Sequence, residues 1–423
     1  MVLQSMNSII LVDPIGTGEP FKTCARDMGL SVLSVMTVTS ALTDRMASVA
    51  PRSLDDNTIH ATTVDEVLLV VQRRNLKVRA VVPATEPGVD LAESLSSRLE
   101  LTGNTRWPRA RRDKSKMRER LQAAGLSCPH FTRARTAAEV ASFMNEHGLP
   151  VVIKTPAGAG GSQVFICRNA ETALSQFEAG IRSRDIFGQL PEFLLVEQFI
   201  SGREFGVNIF VQDRHLSLVD VWEYRRIETH CGSPVILSGV QVNLHEFPEL
   251  EDILVYLGDV CEALGLTVGP AHAEVKWSST GPVLIELGAR LCGVRMPEMW
   301  QRFAGFDGYT TTLRQFLGEK VGIPDRIRFE SVLAIALCPY RGTEAGEVIS
   351  ILGVDEVRKL SSFVAWTPNI RPGQRIGQTQ DLANNLGMVH LASNDREQLA
   401  RDLAFVHERI VPELNMIGDA QPC

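Results

Sequence analysis

Residues 271–277 (AHAEVKW) alternate like a half-buried strand, which places His272, Glu274 and Lys276 on one face. Residues 278–281 read as a turn and 282–287 as a return strand carrying Glu286. In a hairpin the two glutamates lie roughly opposite each other, with β-carbons ~5 Å apart, and like charges at that separation are destabilising. A cation belongs between them. Magnesium suits the place, because it takes hard carboxylate oxygens and completes its shell with substrate phosphates. The structural alternative is an ion network in which Lys276 and Arg290 neutralise the pair. Arg290 follows the return strand within Gly288-Ala289-Arg290-Leu291-Cys292-Gly293. A guanidinium there can clamp a transferring phosphoryl group or a carboxylate bidentately; the alternative is a surface ion pair.

Two further segments carry candidate nucleotide chemistry. Residues 151–153 form a strand ending on Lys154, residues 155–162 (TPAGAGGS) are glycine-rich, and a second strand covers 164–167. Glycine lets backbone N–H groups approach phosphate oxygens closely, and Lys154 stands at the base of the loop. No Gly-Lys-Ser/Thr follows, so this is not a P-loop; the plain alternative is a flexible hairpin with an exposed lysine. Residues 196–204 (VEQFISGRE) run from one β-rich stretch through a glycine turn into another. Their extended backbone can offer a C=O and an N–H to an adenine edge, and Glu204 can accept from ribose hydroxyls. The alternative is an exposed sheet edge with two solvated carboxylates. Gly16-Thr17-Gly18 lacks the third glycine of a dinucleotide fingerprint and reads as a tight strand-to-helix turn.

The scaffold for these segments comes in sections. Strand-like runs at 8–12, 31–38 and 78–83 alternate with helical spacing at 21–28, 64–74 and 91–99, the rhythm of a small open parallel sheet. Residues 104–112 read as a linker. Helices follow at 117–124 and 137–146. Residues 151–287 are mostly β, with helices near 170–182 and 250–264. A tail of strand (331–337), helix (354–360), strand (388–391) and helix (396–410) reads as a separate α/β unit or lid. A chain of 423 residues holds two to four domains. A net charge of −7 gives no reason to expect nucleic acid or an anionic membrane as partner. No apolar run approaches the ~18 residues of a membrane span, and the N-terminus reads as a first strand, not a signal peptide. The eight cysteines form no CxxC pair, which argues against a zinc site or disulfide framework and for thiols in a reducing, cytoplasmic setting.

Taken in order, these pieces resemble the ATP-grasp superfamily over about residues 111–318: Asp113-Lys114 opening a helix, Val152-Ile153-Lys154 before a glycine-rich loop, Glu197 with Glu204 seven residues on, and Glu274 with Glu286 across a hairpin. The resemblance implies an α/β (α+β) ATP-grasp fold in four parts. These are an N-terminal Rossmann-like open parallel-sheet domain (1–105), a small subdomain with the glycine-rich loop (106–190), a large subdomain with the metal site (191–320) and a C-terminal α/β lid (321–423). It implies that Lys114 and Lys154 contact nucleotide phosphates and that the loop 158–162, with Gly160, Gly161 and Ser162, closes over the β- and γ-phosphates. Glu197, Gln198 and Ile200 would hold adenine and Glu204 the ribose of ATP. Glu274 and Glu286 would bind Mg²⁺, with Mn²⁺ as an alternative.

One position departs from the superfamily pattern. Most members place an asparagine two residues after the second glutamate, as a further metal ligand; here that residue is Gly288. The local sequence around His272, Glu274, Glu286, Arg290 and Gly293 is similar to the L-amino-acid ligase branch, which makes dipeptides and related peptide antibiotics. The implied reaction joins two amino acids through an acylphosphate, releasing ADP and phosphate. Arg290 and Lys154 would be catalytic, with His272, Arg290 and Gly293 at the substrate; a homodimer is the family-level expectation. Competing readings are a biotin-carboxylase-like ligase (346–355 resembles that lid), a purine-biosynthesis ligase, a ligase that charges a carrier protein, and an ATP-binding regulator without turnover. No residue stands out as general base for the amine. The stretch 224–241, with Arg225, Arg226 and His230, is expected to cover the site.

Overall fold

The computed structural model describes residues 7–38, 57–229 and 231–416; His230 lies outside the described residues. The N-terminal part is a parallel four-stranded sheet in the order Thr58–His60, Ser31–Met36, Asn7–Val12, Lys77–Pro83. Ile9–Val12 are fully buried. Helices Val64–Arg73 and Val89–Arg98 pack on the sheet through Val67, Leu91 and Leu95. The first of these opens on a capping box between Thr63 and Glu66.

A second four-stranded sheet, antiparallel, has the order Phe131–Ala134, Leu194–Gln198, Val151–Lys154, Val164–Cys167. Helices Ala137–His147 and Ala170–Ile181 back it through Val140, Phe143, Ala173 and Phe177. The glycine-rich loop joins its last two strands.

The largest sheet has eight strands, in the order Gly281–Gly288, Val268–Ser278, Arg203–Gln212, His215–Glu228, Pro234–Gln241, Val332–Leu337, Gly387–Ser393, Phe363–Pro368. Strand Arg203–Gln212 is buried on both faces. Val207 and Ile209 meet helix Leu250–Leu264, while Phe210 meets Trp300 of helix Met296–Ala304. Three strands of the tail extend this sheet, beginning where Ala334–Ala336 pair with 238–240. Only a small three-stranded sheet, Arg375–Ile376, Gly346–Leu352 and Val411–Met416, stands apart from it. Its strands are short or lack a regular apolar alternation, a weak strand signal.

The stretch read as a linker is pinned. Arg111, wholly buried, pairs with both oxygens of Glu93, and Asn104 is bonded to the backbone of Thr267 and Val268. A basic cluster looks solvated in sequence, yet one arginine of it ties the N-terminal domain to the rest. No helix among the described residues is long and apolar enough to cross a membrane. Cys24, Cys128, Cys167, Cys261, Cys292 and Cys338 are free thiols.

Gly202 turns the chain between strands Leu194–Gln198 and Arg203–Gln212 at φ +136°, and a Cβ there would lie 2.0 Å from the Trp277 carbonyl oxygen. Gly202→Ala should lower the melting temperature by roughly 4 °C or more. An unchanged melting curve would contradict this packing.

Candidate active site

Glu274 and Glu286 are direct partners across the antiparallel pair Val268–Ser278 and Gly281–Gly288. Their side chains keep 22% and 27% exposure, enough to reach the cleft. Each leans on a cation from elsewhere in the chain. Lys114 Nζ, at the start of helix Lys114–Ala123, is 2.7 Å from Glu286 Oε1. Arg226 is 3.4 Å from Glu274 Oε2 and donates from Nε to Glu204 at 2.8 Å. Lys276 and Arg290, the neutralisers of the structural alternative, are engaged elsewhere: Lys276 donates to the Ile200 carbonyl at 2.9 Å, and Arg290 donates to Glu86 at 2.8 Å.

This uneven support separates the two acids. Burial pushes Glu274 up to about 7; Glu204 and Glu286 add to the rise, and Arg226 and Lys114 oppose it. Burial acts on Glu286 in the same direction, but Lys114, Lys154 and Arg112 outweigh it and bring the carboxyl down to about 2. One charged and one readily protonated carboxylate is the expected compromise for two acids sharing a site without a metal.

Lys154 is buried, not exposed on a hairpin. Its Nζ lies 2.6 Å from Glu197 Oε2, and Arg118 holds the other oxygen at 2.9 Å. Burial lowers the Lys154 ammonium, with Glu197 opposing. Glu197 thus serves as a buried anchor for the base of the loop, within a strand paired on both sides. The loop carbonyl of Gly158 accepts from Arg112 at 3.0 Å and from Lys114 at 3.3 Å. Gly160 and Gly161 have φ of +63° and +77°, conformations that favour glycine. Leu382, from the tail, donates its N–H to the Gly160 carbonyl at 3.0 Å.

Arg290 reaches back to the N-terminal domain. Its partner Glu86 follows strand Lys77–Pro83, and a Cβ on Gly288 would lie 2.6 Å from Glu86 Oε2. The space of the expected asparagine is therefore filled by the Glu86 carboxylate. His272 is half-buried and faces Asn208. Gly293 opens a turn in which Val294 and Arg295 both adopt positive φ, +52° and +58°, before helix Met296–Ala304.

Residues 112–232 match the phosphoribosylglycinamide synthetase ATP-grasp (A) domain, and residues 342–415 match the L-amino acid ligase C-terminal domain 2. The chain is 29% identical over 310 residues to dapdiamide A synthase of Enterobacter agglomerans, covering 72% of each. It is 18% identical over 300 residues to the L-arginine-specific L-amino acid ligase of Bacillus subtilis, covering 70% of each. Its fold is that of the L-amino acid ligase from Bacillus licheniformis, at a TM-score of 0.76 and 17% identity over 97% of this chain and 99% of that one. The chain thus carries an ATP-grasp domain and an L-amino acid ligase C-terminal domain, and its relatives include amino acid ligases. The tail that resembles a biotin-carboxylase lid in sequence therefore matches a domain of the L-amino acid ligases instead.

Enzymes of this family use ATP with a divalent metal. The residues of this ligase fit both. Among the described residues no three His, Cys, Asp or Glu side chains converge as a metal cage. Two facing carboxylates suit a hard cation that takes its remaining ligands from phosphate oxygens. Glu86, Arg112, Arg118 and Asn208 escape a sequence reading of the ligase, because each meets its site partner only through the fold. Glu86 alone leaves a signal: an acid just past the carboxyl end of a parallel strand, where α/β sheets bind ligands.

Gly288→Asn tests whether the family asparagine can simply be restored. The new side chain collides with Glu86 and displaces it from Arg290, so turnover should fall at least ~10-fold while the fold survives. Full turnover with tighter metal binding would contradict the geometry.

Proposed function

We propose that this ligase condenses two L-amino acids into a dipeptide or related amide at the expense of ATP. A carboxylate oxygen of the first amino acid attacks the γ-phosphorus, the bond to the β-phosphate oxygen breaks, and ADP leaves. The amine nitrogen of the second attacks the acyl carbon. The carbon–oxygen bond to phosphate then breaks, phosphate departs with the electron pair, and the amine proton passes to it. The observation that carries this reading is the facing pair Glu274 and Glu286, flanked by Lys114 and opening towards Arg290.

Glu274 and Glu286 would hold the divalent metal, Mg²⁺ with Mn²⁺ as a substitute. When bound, the metal supplies charge neutralisation for the phosphoryl oxygens. Lys114 and Lys154 supply fixed positive charge at the floor of the phosphate site, and the amides of Gly160, Gly161 and Ser162 close over it. Glu204 keeps carboxylate lone pairs beyond those engaged by Arg226, enough for ribose hydroxyls. Gln198 and Ile200 present backbone to the adenine edge, with Glu197 fixing that strand from within. Arg290, held from behind by Glu86, directs its remaining N–H groups at the acyl oxygens. His272 and Gly293 border the amino-acid pocket.

The direct test is phosphate release from ATP and Mg²⁺ across a grid of amino-acid pairs, with product masses. Phosphate release that needs an amino acid, and a product equal in mass to two amino acids less water, is the expected result. Release independent of any amino acid would overturn the reading. Glu286→Gln should leave the fold intact and remove nearly all turnover; retained phosphate release in that variant would refute the two-glutamate site. A pH dependence also follows. The metal needs both carboxylates ionised, and Glu274 takes up a proton as pH falls through about 7. Mn²⁺ affinity, measured by calorimetric titration, should be flat on the alkaline side and weaken ~10-fold per unit below that point. A flat profile through the acid side would contradict the assignment.

A further inference from the structure

A polar row crosses the large sheet at the active site. Asp220 pairs in register with Asn208, Asn208 with His272, and His272 with Gly288, across four adjacent strands. Its bonds are short and largely buried. Trp300 Nε1 donates to Asp220 Oδ2 at 2.7 Å, Asn208 Nδ2 donates to Asp220 Oδ1 at 2.6 Å, and His272 Nδ1 meets Asn208 Oδ1 at 2.8 Å.

The row has only one polarity. An indole N–H can only donate, so it must face an accepting carboxylate. Asp220 is buried and both its oxygens accept, one from Asn208 and one from Trp300; burial pushes its carboxyl up to about 6 against these bonds. An ionised carboxylate only accepts, which fixes the NH₂ of Asn208 towards Asp220 and its carbonyl towards His272. His272 Nδ1 must then carry the ring proton. Nε2 is left bare, and the His272 ring makes no other hydrogen bond among the described residues. The row ends at Gly288, which borders Glu86 and Arg290. A bare Nε2 repels phosphate and carboxylate oxygens and attracts an N–H. Next to it Arg290 offers only donors.

Resting on the two-amino-acid reading above, we propose that His272 Nε2 accepts a hydrogen bond from the attacking amine and aims its lone pair at the acyl carbon held by Arg290. Asn208, Asp220 and Trp300 are positioning residues that fix the tautomer. The proton balance is that given above: the amine proton leaves with phosphate, and His272 orients the nucleophile without being consumed.

The test uses the full-length enzyme with ¹⁵N-labelled histidine, ATP, Mg²⁺ and the standard L-amino acids, with hydroxylamine as a small competing nucleophile. The wild-type spectrum should show His272 protonated on Nδ1. In Asp220→Asn the new amide can reverse the row, so the proton should move to Nε2. That variant should keep hydroxamate formation, which reports acylphosphate, while the KM of the amine-side amino acid rises ~10-fold, the loss of about one hydrogen bond. Should Asp220→Asn fail to fold, Trp300→Phe removes one donor to Asp220 and should give a smaller split of the same kind. A wild-type ring protonated on Nε2, or equal loss of hydroxamate and peptide, would overturn the proposal. Absence of hydroxamate from the wild type would instead overturn the ligase reading, and this role with it.

Discussion

Two carboxylates facing each other on neighbouring strands cannot both stay charged without positive charge beside them. Much of this structure answers that constraint at Glu274 and Glu286. Lys114 arrives from the helix that opens the ATP-grasp region, and Arg226 from the far end of the strand two places along the sheet. Their unequal closeness splits the pair into a firmly ionised Glu286 and a Glu274 that titrates near neutrality. In the proposed reading, a divalent metal bound here would displace the proton of Glu274.

Around this pair the remaining charges are held so that they do not collapse onto it. Lys154 is retained by Glu197, and Glu197 by Arg118; Arg290 is retained by Glu86. Buried pairs of this kind are costly to dehydrate and add little net stability. Their value here is placement. Each holds a cationic group near Glu286 at a fixed position, as the proposed electrostatic catalysis would require. The Arg290–Glu86 contact also joins the N-terminal domain to the candidate site, and it explains why glycine stands at 288.

The sequence makes some of this plain and hides the rest, for physical reasons. Glu274 and Glu286 were legible because strand periodicity sets the face and one turn sets the register; the structure pairs them directly. The N-terminal strands and most helices were legible from their apolar spacing. Arg226, read only as part of a covering loop, lies in a strand and grips Glu204 and Glu274. Glu86 and Asp220 could not be found from spacing, because their partners Arg290 and Trp300 are brought near only by the completed sheet. That strands of the tail add to the edge of the large sheet is not legible from short apolar runs, which carry no sign of their partners.

The central claim is that a substrate carboxylate is activated as an acylphosphate within this cleft. Labelling the carboxylate of the amino-acid substrate with heavy oxygen and following the label tests it most directly. The account predicts that each turnover delivers one labelled oxygen into inorganic phosphate. Label retained wholly in the organic product, or found in AMP, would contradict it.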